Sequence, residues 1–501
     1  MQPDNTPIIV GAAQLTEPWE SSSERLDPLG LMENAARKAV LGAGSKALFK
    51  TIDAVSVVNT ISWSYADAPG ALAERLGAAA EERVYTPIGG NSPQVLVERA
   101  AKSLQSGKTK AVLLAGAEAA CSMQRAQKEG RELGWPPMVA PQRIDGSDRL
   151  GASPAEFAYE LTLPAAMYPL IETVFRARAG RSPADHAAFL GRLCERLSAV
   201  AAENPYAWFR TRRSASEVAT PSPDNRYVGY PYTKLMNSIL AVDQAAAVIL
   251  TTEKTAMELG IDRSLWVYPM GSGAVNDVWY VTERPRLDRS PGIRAAAAAA
   301  LAQAGTSMGE IDTIDLYSCF PCAVQLGCEA LDISVDDPRG LTVTGGLPYF
   351  GGPGNNYTMH SIATAVERIR AGRSQRALVT ALGWYATKHA VGIYGTRRPK
   401  VPWGEQDLSS KQAEIDATAL PPPVDAYNGP IEIEAFVIRH GRDGSARSGT
   451  VLARNPRGAR VLASMEAEAD ELARLEELEI VGTRWGCRHD GASGKNLARP
   501  A

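Results

Sequence analysis

Two short stretches of the chain combine residue types that can do chemistry. The first is Cys319-Phe320-Pro321-Cys322, two thiols at CxxC spacing. Zinc would need a second pair at matching spacing; none follows, and Cys328 lies six residues beyond Cys322. The pair therefore reads as buried thiols near a strand end. The second stretch is GGLPYFGGPGNNY, residues 345–357, with five glycines among thirteen residues and a helix-like segment after it. A loop of this kind is a phosphate cradle, a turn, or part of a catalytic site.

Other chemistries find no support. No GxxxxGK followed by Ser or Thr exists, since Gly107-Lys108-Thr109 lacks the upstream glycine. Gly271-Ser272-Gly273 begins like a dinucleotide loop but has no third glycine, and neither HExxH nor GxSxG occurs. The 5 histidines are widely separated, so no metal site is expected. A net charge of -3 gives no electrostatic case for nucleic acid or an anionic membrane. The opening MQPDNTPIIVGAAQL has no basic n-region, and the most apolar run, residues 295–301, is nearly all alanine and too short to span a bilayer. The 6 scattered cysteines form no disulfide framework. The expectation is a cytoplasmic protein with no membrane insertion and no nucleic-acid partner.

The elements that must position these stretches repeat. An alanine-rich helix at residues 33–44 precedes a strand at 52–59, and another at 293–305 precedes a strand at 311–317. Downstream, residues 92–107 carry apolar side chains at helical spacing ahead of the buried strand 111–115; residues 358–372 do the same ahead of 377–382. Helices alternating with short apolar strands imply parallel sheets covered by helices, so the spacing predicts a duplicated α/β core.

Between the halves, residues 122–230 differ in texture. Ser182-Pro183 starts a helix expected to end near Glu203, and loops rich in Arg, Pro and aromatic residues surround it. After residue 400 comes a Pro-containing linker, then strands at 431–439, 450–454 and 459–464 and a charged helix near 466–477. The expected division is 1–121 with 231–275 as a first half, 122–230 as a loop domain, 276–400 as a second half, 401–424 as a linker and 425–501 as a small β-rich domain.

Several ordered motifs now resemble one family. Asp315-Leu316-Tyr317-Ser318-Cys319-Phe320 resembles the Asn-Glu-Ala-Phe or His-Asp-Cys-Phe loop of the thiolase superfamily. Gly345-Gly346-Leu347 with Gly351-Gly352-Pro353 resembles its Gly-Gly-Leu and Gly-His-Pro loop, Ala381-Leu382-Gly383 its Cys-x-Gly loop, and Asp243 to Ala247 its Asp-Gly-Ala-Ala-Ala strand entry. The likeness is greatest to sterol-carrier-protein-type thiolases, and among them to thiolase-like proteins of type 1 with an added C-terminal domain. The resemblance implies a duplicated thiolase fold of five layers, α-β-α-β-α, plus a small C-terminal β-rich domain. It also implies an acyltransferase-family protein of lipid metabolism, with coenzyme A entering as part of an acyl-CoA substrate and no tightly bound cofactor.

The departures carry as much information. The nucleophilic cysteine position falls on Gly90, or on Asn91 with a one-residue shift. Gly352 stands for the histidine, Ala381 for the second cysteine, and Tyr317 for the residue that orients an oxyanion-hole water. Without a nucleophile, ordinary thiolysis by the thiolase route is not expected. Some thiolase-like proteins without the cysteine are retro-aldolases that use tyrosine in this cleft and pair with a small OB-type partner. By that resemblance the candidate catalytic residues are Tyr317, His389, Cys319 and Tyr349, with Tyr357 beside them. Gly90, Asn91, Gly351, Gly352, Pro353 and Gly383 are candidates for binding the substrate. Two functions remain open: altered carbon–carbon bond chemistry on acyl-CoA esters, and non-catalytic binding of a CoA ester or lipid. Monomer and homodimer are both open, because the inserted and added segments could cover the family's dimer interface. The arginines of the added domain, Arg439, Arg442, Arg447 and Arg454, are candidates to meet CoA phosphates.

Overall fold

The structure is a computed structural model that describes residues 4–21, 25–147 and 149–500. Its two central sheets repeat one plan. In the first the strand order is Pro7–Thr16, Asp243–Thr252, Ala111–Ala119, Ala54–Val57, Glu82–Tyr85. In the second it is Tyr268–Asn276, Lys388–Gly395, Arg376–Gly383, Thr313–Asp315. Each sheet starts with two antiparallel pairings and continues with parallel ones. Where the first sheet has a fifth strand, the second has residues 341–344 lying beside Thr313–Asp315. There Leu316 N donates to Leu341 O at 2.9 Å. The buried Asp315 carboxylate replaces the missing ladder, accepting from Val343 N, Thr344 N and the Thr342, Thr344 and Ser361 hydroxyls.

Helices Ser92–Gln105 and Tyr357–Arg370 lie between the sheets. Leu96, Val97, Met359, Ile362 and Val366 share one core with Val112 and Val248 of the first sheet and Val379 of the second. Pro28–Gly42 and Ala68–Leu76 cover the outer face of the first sheet, and Pro291–Ala304 and Pro321–Leu331 that of the second. The result is five layers, α-β-α-β-α. Both faces of each sheet are covered, which is why Ala111–Ala119 and Asp243–Thr252 are buried along their whole length and read as unbroken apolar runs. Each fully buried Val or Leu in these layers contributes about 1.5–3 kcal/mol. Gly271 and Gly273 belong to this packing. A Cβ at either would strike the carbonyls of Ala300 or Ala296, so the alanine-rich helix rides directly on the strand.

The helix expected after Ser182 runs Pro183–Glu203, with Ser182 Oγ accepting from Asp185 N at 3.1 Å. The C-terminal region closes into a five-stranded barrel in the order Ala446–Arg454, Arg460–Met465, Lys495–Pro500, Arg484–Asp490, Gly429–His440, with the last pairing back to the first. With one parallel pairing and helix Ala469–Glu476 between its third and fourth strands in sequence, it has the strand arrangement of an OB-fold.

Four features differ from the sequence reading. Arg484–Asp490 and Lys495–Pro500 were not expected, because their polar residues hide the period-2 pattern. Tyr227–Tyr230 and Tyr232–Thr233, assigned to the loop domain, extend the barrel's sheet through Gly229 and Tyr230. Tyr268–Asn276, assigned to the first half, is the edge strand of the second sheet. The segment read as a linker contains the helix Ser409–Asp416, and its Ile415 is buried in the second half's outer core.

The free edge of Glu82–Tyr85 is covered from within the chain. Asp145 N donates to Tyr85 O at 2.8 Å, and Tyr85 N donates to Asp145 Oδ2 at 3.2 Å. An edge blocked this way cannot template a second chain along these residues.

Candidate functional site

The loop ahead of helix Ser92–Gln105 is where the two halves meet. Gly89 N donates to Asn355 Oδ1 at 2.8 Å, and Thr358 Oγ1 donates to Gly90 O at 2.9 Å, so side chains of the second half hold the backbone of the first. Beside this loop opens a cavity of about 540 Å³, lined from both halves and from the start of helix Pro164–Arg178. That volume suits a small molecule or the arm of a larger one. Its walls are mainly apolar, with Leu163, Leu240, Phe320, Leu347, Leu382 and Trp384 contributing. Tyr317, Ser238 and Asn355 supply polar atoms, and no charged side chain or imidazole lines it among the described residues.

Tyr317, Cys319, Gly90 and Gly383 are brought together here. A Cβ on Gly90 would collide with the Tyr317 hydroxyl and would lie 2.5 Å from Leu382 O. The tyrosine thus fills the volume a side chain at position 90 would occupy. The Tyr317 backbone N–H is fixed by Thr380 Oγ1 at 2.8 Å, and the ring stands edge-on to Tyr357 with centroids 5.4 Å apart. Burial, with the Cys319 and Tyr357 side chains nearby, raises the Tyr317 phenol well above its ordinary range, so it is a proton donor and not a phenolate. Burial likewise pushes the Cys319 thiol up to about 12 beside the Tyr168 hydroxyl, leaving it a poor nucleophile.

The other candidates lie elsewhere. The His389 ring is buried on the far side of its strand. Its Nε2 lies 3.0 Å from Asp277 Oδ2 and 3.1 Å from Ala386 O, and no hydrogen bond joins it to Tyr317. This ring anchors helix Pro291–Ala304, since Asp277 also accepts from Gly292 N and Ser290 Oγ. Tyr349 is buried beside Cys194, away from the cavity. Gly351 packs against Gln244, and Gly352 N donates to Ile239 O at 2.7 Å. The space beyond Gly352 is occupied by residues 238–240, of which Ser238 and Leu240 line the cavity themselves. Of this glycine loop Leu347, Gly354 and Asn355 reach the cavity; Gly351, Gly352 and Pro353 do not. Asn91 Oδ1 is buried without a hydrogen-bond partner behind Gly89 and Gly383.

The sequence reading missed Asn355, which pins Gly89, and Trp384, which lines the cavity with φ at 55°. It also missed Tyr168, which stacks on Phe320 at 4.6 Å and donates to Trp384 O at 3.0 Å. Asn355 was the legible one, because an Asn after a Gly-Pro-Gly turn is placed to bond backbone. Three of the four barrel arginines named from the sequence are engaged within the barrel. Arg439 bonds Ser448 and Thr450, Arg447 bonds Asp443, Arg454 bonds Gly458 O, and none of them lines the cavity. The barrel instead backs the cavity's roof: Arg176 of helix Pro164–Arg178 pairs with Glu479 at 2.8 Å, and Thr173 meets the Phe436 backbone.

A five-layer duplicated core with a cleft gathered from both halves defines a thiolase-fold protein. Comparisons with known proteins agree. Residues 411–492 match the family described as thiolase-like protein type 1 additional C-terminal domain. A crystal structure of a monomeric SCP2-thiolase-like protein type 1 from Mycobacterium smegmatis is 31% identical, with a TM-score of 0.85 over 100% of each chain. The chain belongs to the SCP2-thiolase-like protein type 1 family. An Ltp2-ChsH2(DUF35) aldolase shares the fold at 18% identity and a TM-score of 0.60, over 79% of this chain and 98% of that one. Human mitochondrial 3-ketoacyl-CoA thiolase in complex with CoA does so at 17% identity and 0.54, over 78% and 98%. No curated protein matches the chain. Among the described residues no group of His, Cys, Asp or Glu is arranged to hold a metal ion, and no helix is long and apolar enough to cross a membrane.

Proposed function

We propose that the cavity takes the acyl part of an acyl-CoA thioester, and that the chemistry there is cleavage of a 3-hydroxyacyl thioester between C2 and C3. In that reaction the 3-hydroxyl loses its proton and the C2–C3 electron pair moves into an enolate on the thioester oxygen. C2 is then protonated, releasing an aldehyde or ketone and a shortened thioester. The Tyr317 phenol would donate a hydrogen bond to the oxygen as negative charge develops. The observation that carries this reading is the Tyr317 hydroxyl standing in the volume of a position-90 side chain, at the wall of an apolar cavity. The OB-type barrel in the same chain supports it, since the retro-aldolases this chain resembles work with an OB-type partner.

A second reading, binding of a CoA ester or lipid without turnover, is favoured by one observation. No carboxylate or imidazole lines the cavity to accept the hydroxyl proton. The test is mass spectrometry of CoA esters after incubation with the protein and with Tyr317→Phe. Cleavage of a 3-hydroxyacyl-CoA that is lost in the variant supports the first reading. Stable binding of the ester without any new product supports the second. Shortening of a 3-ketoacyl-CoA in the presence of CoA would overturn both. The described edge of the first sheet, closed by Asp145, supports a monomer, to be checked by sedimentation.

A further inference from the structure

Lys388 is a buried cation without a counter-ion. It is 8% exposed, and no carboxylate lies within ion-pair distance of it among the described residues. Its ammonium donates to Ile88 O, which leaves two of its three donors without an acceptor among the described residues. The group stands directly behind the cavity wall. A Cβ on Gly89 would lie 2.7 Å from Lys388 Nζ, and one on Gly383 would lie 3.0 Å from Lys388 Cε. Both glycines line the cavity and Lys388 itself does not, so the ammonium lies behind their backbone. Asn91 Oδ1, at 2.5 Å from the Gly89 Cβ position, shares this recess and also lacks a partner.

A buried ammonium with unused donors is costly unless something meets it. The surroundings offer no carboxylate, and Asn91 Oδ1 is a neutral acceptor that leaves the charge uncompensated. Its register partners on the flanking strands are Gly383 and Asn276, neither titratable. The loop against it presents Ile88, Gly89 and Asn91. Of the titratable neighbours, the His389 ring turns to Asp277, and the Tyr317 hydroxyl faces Gly90. We propose that Lys388 lends positive charge to the cavity through the wall formed by Gly89 and Gly383, so that the cavity selects acyl carboxylates and enolates over neutral lipids. The proposal rests on reading the cavity as an acyl site. It makes Lys388 the source of charge for an otherwise uncharged pocket.

The experiment is calorimetric binding of octanoate and of octanamide, an uncharged ligand of equal length, to the full chain. Burial brings the Lys388 amine down to about 8, so the ammonium is present below that pH and is lost as pH rises through it. Octanoate should bind about tenfold tighter than octanamide near pH 6.5, and the preference should fade by about pH 9.5. Lys388→Met should abolish the preference at every pH while leaving octanamide binding unchanged. Should that variant fail to fold, the pH dependence of the wild type decides alone. Octanamide binding with no preference for octanoate overturns the role of Lys388 and leaves the acyl cavity standing. Binding of neither ligand overturns the acyl reading, and this proposal with it.

Discussion

The two halves each place a glycine pair ahead of the helix that enters the central layer, and the two pairs have become different things. In the first half, Gly89 and Gly90 line the cavity, and the volume freed at Gly90 is taken by a polar group, the Tyr317 hydroxyl. In the second half, Gly351 and Gly352 have withdrawn into the core. The space beside Gly351 is taken by Gln244, and that beside Gly352 is bounded by Ile239 O and the Ser238 and Leu240 side chains. Loss of a side chain at a site therefore has two structural outcomes. One opens room for a new functional group; the other lets the scaffold close over the gap.

Substitutions at these positions should separate the two outcomes. The largest effect is expected for Gly351→Ala. Gly351 has φ at 113°, and its Cβ would strike a Gln244 side chain whose Nε2 is tied to Thr16, Tyr206 and Phe350. Backbone strain and collision together should cost about 3 kcal/mol or more, read as a lowered denaturant midpoint. Next comes Gly90→Ala at about 2 kcal/mol, because Leu382 O is backbone and cannot swing aside. Tyr317→Phe removes the hydroxyl, the nearest of the three close contacts, while leaving Cζ, so in a double-mutant cycle it should recover part of that loss, by about 1 kcal/mol. Simple additivity of the two substitutions would mean that Tyr317 does not fill the position-90 volume.

The sequence made one side of this comparison legible and hid the other. Duplication showed in the paired helix-strand echoes because both sheets are buried on both faces, which writes continuous apolar runs into the chain. The resemblance of the Tyr317 and Gly90 segments to thiolase loops gave the residues that do meet. What stayed hidden depends on side-chain direction within a strand. His389 and Lys388 are adjacent, and only their alternation across the strand decides that one turns to Asp277 and the other to Gly89. The barrel's last two strands were hidden for a similar reason, since only Trp485 and Cys487 of residues 484–490, and Asn496 and Ala498 of residues 495–500, turn fully inward.

A pH dependence sharpens how the halves are joined. His360, on the central helix Tyr357–Arg370, lies 3.0 Å through Nδ1 from Gln14 Oε1 of the first sheet. Burial lowers its imidazole from 6.5 to about 3, so the folded protein keeps it neutral where the unfolded chain would protonate it. This stability is present above about pH 6.5 and is lost as pH falls toward about 3, by about 2 kcal/mol on going from pH 7 to pH 5. His360→Asn should flatten the dependence in that window whatever its offset at pH 7. An unchanged slope would assign the acid sensitivity of the halves' junction to other groups.

The smallest effect is expected at Gly352, and it carries the comparison's sharpest edge. A Cβ there would meet Ile239 O at 3.2 Å, Ser238 Cβ at 3.5 Å and Leu240 Cδ2 at 3.6 Å, so Gly352→Ala should change stability by about 0.5 kcal/mol or less. The segment it touches lines the cavity through Ser238 and Leu240. A methyl group at position 352 should therefore act on octanoate affinity, through a slight displacement of that wall, more than on the unfolding midpoint. If Gly352→Ala instead destabilises the protein as much as Gly90→Ala, residues 238–240 are a rigid plug. The second half's loop would then be as tightly built as the first, and the contrast between an opened and a closed glycine pair would not hold.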